Sequence, residues 1–106
     1  MIEDNVKLIF AYFSMEHCGP CREFTPILAG LYEEQTELYQ GKKLYEVVFF
    51  SCDSAEKDFA KYFQEMPWIA MPFNDPRNAQ LSRMLGVKAV PHLCAFRRSD
   101  GKILQS

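Results

Sequence analysis

A chain of 106 residues, 48% hydrophobic and 25% charged, is sized for a single globular domain, residues 1–106, with enough apolar residues to build one core. Its formal net charge of −2, without a long run of Lys or Arg, gives no general attraction to phosphate backbones or anionic lipid, so nucleic acid is excluded as an expected partner. The longest early apolar run, Leu8 to Phe13, falls far short of the ~20 residues needed to cross a bilayer, and no basic segment with a small-residue cleavage site precedes it; no membrane role is expected.

In chain order, Val6 to Phe13 reads as a strand buried on both faces. "SMEHCGP" is then a loop into a helix from Cys21 to about Tyr39, on which Phe24, Ile27, Leu28 and Leu31 fall at helical spacing and Pro26 introduces a bend. Leu44 to Ser51, rich in β-branched and aromatic residues, predicts a second buried strand. Asp53, with Glu56 three residues on, is a capping box for a helix whose face is Phe59, Tyr62, Phe63 and Met66 and which Pro67 closes. Met66 to Pro76 is an irregular, proline-punctuated connection. Asn74 or Asp75 caps the next helix, Pro76 opens it, Leu81, Met84 and Leu85 form its apolar side, and Gly86 ends it. "HLCAFRR" after Pro91 alternates as a strand, Ser99 to Gly101 turns, and "KILQ" begins the return.

The chemistry concentrates in His17-Cys18-Gly19-Pro20-Cys21. Zinc needs four ligands, and the remaining cysteines, Cys52 and Cys94, stand alone in the sequence, so the C-x-x-C pair is expected to do redox chemistry and no metal is expected. A free cysteine with pKa near 8.5 is about 3% thiolate at pH 7, and a pKa near 7 makes it about half thiolate. The strand-to-helix position supplies such a shift: unpaired amides and the positive end of the helix dipole face Cys18, the expected nucleophile, while Cys21, one turn in, is the expected resolving thiol. Gly19 and Pro20 allow the two sulfurs to approach and set the entry to the helix. His17 either supports the thiolate or is a solvated side chain. Cys52 and Cys94 are expected to be small buried side chains, Trp68 a core residue, and His92 a polar strand position.

"CGPC" opening a helix, a proline five residues later, and "GVKAVPHL" together resemble the thioredoxin superfamily. "AYFS", "REFTPIL", "YEVVFFSCD" and "MPWIAMPF", in that order, are most similar to its tryparedoxin and nucleoredoxin branch. In that family tryptophan usually occupies the positions of His17 and Cys52, and Tyr12 stands where many thioredoxins carry a buried acid. The resemblance implies a thioredoxin fold, α/β, with a central mixed sheet of about four strands flanked by helices, and a cis Val90–Pro91 bond that presents the Val90 backbone to substrate beside Cys18. It implies a thiol–disulfide oxidoreductase without a cofactor, with a potential on the order of −200 to −270 mV. Implied partners are disulfide-containing proteins and a thiol electron donor: trypanothione, glutathione or a dithiol protein. The alternative is a nucleoredoxin-like binding module switched by redox state without significant turnover. A C-x-x-C motif and no recognisable secretion signal make the cytoplasm the expected compartment. The superfamily fold continues into a final helix after the strand where this chain ends. A longer native chain is therefore expected, with apolar side chains of Val6 to Phe13 and His92 to Phe96 facing water where that helix would lie.

Overall fold

The computed structural model describes residues 2 and 4–105, the side chain of residue 105 excepted. The elements run β1 (Leu8–Ser14), α1 (Gly19–Leu38), β2 (Tyr45–Ser51), α2 (Glu56–Phe63), β3 (Ile69–Ala70), α3 (Pro76–Leu85), β4 (His92–Arg97) and β5 (Ile103–Gln105). The sheet order is β3-β2-β1-β4-β5, with β1, β2 and β3 parallel and β4 antiparallel to both β1 and β5. The expected four strands are therefore five. Two residues of the proline-punctuated connection, Ile69 and Ala70, pair with Val48 and Phe49 and form β3. A strand this short between prolines carries no alternation to read.

The two faces of the sheet bury different clusters. On one, Tyr12, Val47 and Phe49 pack with Leu28 and Tyr32 of α1, Tyr62 of α2 and Trp68. On the other, Ala11, Phe13 and Phe50 pack against Leu81 and Leu85 of α3, with Val90 and Phe96 beside them. Helices thus flank both faces, as a mostly parallel sheet requires. Trp68 and Cys94 are both buried, as expected from their residue types.

Several sequence expectations fail in instructive ways. The buried stripe of α1 is Cys21, Thr25, Leu28, Tyr32 and Gln35, while Ile27 and Leu31 are exposed. Two polar residues belong to that stripe because their polar atoms find partners: Thr25 Oγ1 donates to Cys21 O, and Gln35 receives Leu44 N–H and donates to Tyr45 O. Met84 likewise points outward, leaving Leu81 and Leu85 as the packed side of α3. No capping box forms at α2: its N-cap is Ala55, without a side-chain bond, because Asp53 is engaged elsewhere. At α3 the reading holds, with Asp75 accepting from Arg77 N–H, Pro76 opening the helix and Gly86 closing it at φ 67°. In the strands expected to face water, Leu8 to Phe10 of β1 and Leu93, Ala95 and Phe96 of β4 are partly exposed, while Ala11 to Ser14 and Cys94 are buried.

Candidate active site

β1 and β2 run in register from Leu8↔Tyr45 to Ser14↔Ser51, so they end level with each other. The segments that follow are stitched together: Cys52 N–H donates to Ser14 O at 2.9 Å, and Glu16 N–H donates to Asp53 Oδ1 at 2.7 Å. Asp53 Oδ2 also receives the Ser51 hydroxyl at 2.7 Å. This is the engagement that takes Asp53 away from α2.

The stitched loop delivers Cys18 to the start of α1. Cys18 is the N-cap residue, in extended backbone (φ −148°, ψ 109°), and its sulfur accepts the Cys21 N–H at 3.3 Å. Cys18 O accepts Arg22 N–H at 3.1 Å, the first helical bond. When Cys18 is a thiolate, a charge-assisted bond of this kind contributes about 1.5–3 kcal/mol, and through this amide the helix end acts on the sulfur. Cys18 is half-buried and Cys21 is fully buried. The two sulfurs are at disulfide distance, their Cα atoms 5.2 Å apart. Pro20 lies in the first turn, where a missing N–H costs nothing. A Cβ on Gly19 would meet no atom within 4 Å, so packing does not demand glycine there.

On the other side of the sulfur, the Val90–Pro91 peptide is cis and Val90 O lies 3.8 Å from Cys18 Sγ. Behind Cys21, whose carbonyl accepts the Thr25 hydroxyl, lie buried hydroxyl-bearing side chains. A chain of hydroxyls occupies the space: Tyr12 to Thr25 at 2.7 Å, Thr25 to Tyr62 at 2.6 Å and Tyr62 to Ser14 at 2.7 Å. Burial pushes the Tyr12 phenol up to about 12, so it serves as a neutral partner.

His17 is 73% exposed, its Nε2 3.6 Å from Asp58 Oδ1 of α2. Its imidazole is turned to solvent. Cys52 corrects the expectation of a small buried residue: it is exposed, at the lip of a cavity of about 220 Å³ lined also by Phe13, Phe50, Asn74 and Asn78. Partial desolvation of its sulfur, then the neighbouring Asp53 carboxylate, push its thiol above the ordinary value. His92 sits in β4 with its ring edge toward Phe13. No group of three or more His, Cys, Asp or Glu suited to a metal ion occurs among the described residues.

The residue the sequence reading passed over is Glu16. Its side chain is only 6% exposed, with Oε2 3.3 Å from Arg22 Nη1 and Oε1 3.6 Å from Lys61 Nζ. Its place two residues before Cys18 was the available signal, but an isolated glutamate in a loop gives no sign that it folds inward.

A mixed five-stranded sheet with a cysteine pair opening the helix after its central strand, opposite a cis proline, defines a protein of the thioredoxin-fold class. The match to the thioredoxin-like family runs over residues 5–103, and the chain belongs to that family. It is 39% identical over 99 residues to a tryparedoxin of Trypanosoma brucei brucei, covering 92% of this chain and 66% of that one. It is also 39% identical over 90 residues to a probable nucleoredoxin 1 of Arabidopsis thaliana, covering 85% of this chain and 15% of that one. Among solved structures, a tryparedoxin II complexed with glutathionylspermidine superposes with a TM-score of 0.85 at 37% identity, covering 94% of this chain and 67% of that one. The chain thus spans two thirds or less of the curated relatives named here.

Proposed function

We propose that residues 1–106 form one thioredoxin-like domain that exchanges dithiol for disulfide with protein partners. The observation that carries this reading is the half-buried Cys18 sulfur at the N-cap of α1, held by the Cys21 amide and facing Val90 O, with Cys21 buried one turn behind it. The Cys18 thiolate attacks one sulfur of a client disulfide, forming a mixed disulfide and releasing the other client sulfur as thiolate. Cys21 then loses its proton and attacks Cys18 Sγ. The second client thiolate leaves, and the Cys18–Cys21 disulfide forms. A dithiol donor, or two equivalents of a monothiol, reverses this last change and carries in two electrons. The chemistry runs through sulfur alone and calls for no cofactor. Val90 and Pro91 present the backbone against which an extended client segment lies, Gly19 and Pro20 shape the turn between the sulfurs, and His17 borders the site.

The donor is a small thiol such as trypanothione or glutathione, or a dithiol protein, and the compartment is the cytoplasm. Likeness to a tryparedoxin solved with glutathionylspermidine supports the small-thiol arm. Among the described residues, no helix is long and apolar enough to cross a membrane. The test is turnover of an insulin-type disulfide with a dithiol donor, together with trapping on Cys21→Ser. Turnover by the wild type and a client held on Cys18 in the variant are expected. Redox-dependent client binding with no turnover overturns the reading in favour of a binding module.

A further inference from the structure

Glu16 reaches under the loop into a cluster of charges drawn from three parts of the fold. Arg22, in the first turn of α1, contacts Glu16 Oε2 at 3.3 Å and Glu65 Oε2 at 3.0 Å. Lys61 of α2 contacts Glu16 Oε1 at 3.6 Å. Arg22 also lies over the Tyr62 ring, 5.7 Å from its centroid. The other charged groups facing the loop are Asp53, bonded to the Glu16 amide, and Asp58 beside His17.

Three features separate Glu16 from an ordinary surface pair. It is buried, at 6% exposure, while its partners Arg22 and Lys61 are 44% and 73% exposed and meet solvent. Its backbone is fixed as well, since its N–H is bonded to Asp53 and its C=O is 3.5 Å from Arg22 Nη1. And it lies two residues before Cys18, while the Arg22 it pairs with donates its backbone N–H to Cys18 O. A neighbouring carboxylate disfavours a thiolate, and a guanidinium in the first turn of the helix that Cys18 caps favours one. By holding Arg22 and Lys61, Glu16 offsets their positive charge.

We infer that Glu16 is a positioning and charge-setting residue for the Cys18 thiol: it anchors the loop and holds Arg22 and Lys61 so that Cys18 is less acidic than the helix start alone would make it. The inference rests on Cys18 being the attacking thiol. It does not rest on turnover, because what it sets is the acidity of a sulfur.

The experiment follows the pH dependence of iodoacetamide labelling of Cys18 in the fully reduced protein, read by peptide mapping, in wild type, Glu16→Gln and Glu16→Asp. Glu16→Gln keeps the shape and removes one negative charge, so the Cys18 pKa is expected to fall by about 0.5 to 1, a roughly three- to tenfold rise in thiolate ratio. Glu16→Asp is expected to restore the wild-type value. Should Glu16→Gln fail to fold, Lys61→Met decides, since it removes a cation at an exposed position and is expected to raise the Cys18 pKa. An unchanged Cys18 titration in the deciding variant, even with a lowered melting temperature, overturns the inference and leaves Glu16 a structural anchor. Insulin reduction by the same samples stands apart: its absence in wild type counts against the oxidoreductase reading alone.

Discussion

Thr25 Oγ1 lies 2.6 Å from the Tyr62 hydroxyl while also lying 2.7 Å from that of Tyr12, so one threonine on α1 joins α2 to the central strand behind the buried Cys21. All three residues are buried. A hydroxyl shared this way cannot be removed without stranding its neighbours, at about 1–3 kcal/mol for a group left unpaired. Thr25→Val, which keeps the shape, is expected to cost about 2 kcal/mol, which in a domain of ~100 residues lowers the melting temperature by about 8–16 °C. Thr25→Ser is expected to cost far less. Thermal unfolding followed by circular dichroism makes the comparison, and a larger loss in Thr25→Ser than in Thr25→Val would show that the methyl group, not the hydroxyl, matters.

Burial of the Tyr12 phenol makes the protein sensitive to alkali. Tyr12 keeps its proton to about 12 in the folded chain and loses it near 10 when unfolded. The folded pKa is the raised one, so its contribution is fully present below pH 10 and is lost as pH rises from 10 to 12, up to about 3 kcal/mol in all. Denaturant midpoints measured across that range are expected to fall in wild type and to fall less in Tyr12→Phe. Parallel declines in the two proteins would assign the effect to other groups.

The free cysteines differ in reach. Cys52 is exposed but its thiol is pushed up, and Cys94 is buried. In reduced protein at neutral pH, iodoacetamide is expected to label Cys18 first and Cys52 slowly, with the Cys52 rate climbing above the ordinary thiol range, while Cys94 reacts only on unfolding. Mass mapping over time gives the order. Cys52 labelled as fast as Cys18 at pH 7 contradicts it.

Trp68, the single tryptophan, is held edge-on by Tyr12 and Tyr32 at centroid distances of 5.9 and 5.6 Å, and its Nε1 has no partner among the described residues. Trp68→Ala is expected to destabilise by about 3–5 kcal/mol. Trp68→Phe loses less, because the unpaired N–H goes with the ring that carried it. Denaturant melts compare the two, and in wild type the emission of Trp68 is expected to shift to the red on unfolding.

Strand and helix order was readable wherever a side chain's character matched its place: Val47 and Phe49 in β2, and Asp75, Pro76 and Gly86 around α3. It was unreadable where a polar group is buried because something distant satisfies it. Thr25 and Gln35 replaced Ile27 and Leu31 on the inner face of α1. Asp53 left its expected helix cap for the Glu16 amide, 37 positions away in sequence. The cysteine pair was legible because its spacing is local. The charges near it were not, because Arg22 and Lys61 meet Glu16, and Glu65 meets Arg22, only through the packing of α1 against α2 and the segment after it.

The level ending of β1 and β2 makes the two loops beyond them one part rather than two. Cys52 N–H on Ser14 O and Glu16 N–H on Asp53 Oδ1 are cross-ties between segments far apart in the chain. For protein engineering, the unit that transplants is therefore discontinuous. Residues 14–22 moved alone into another scaffold would leave the Glu16 amide without its acceptor, and the Cys18 sulfur would inherit the looseness. Residues 51–53 have to travel with them.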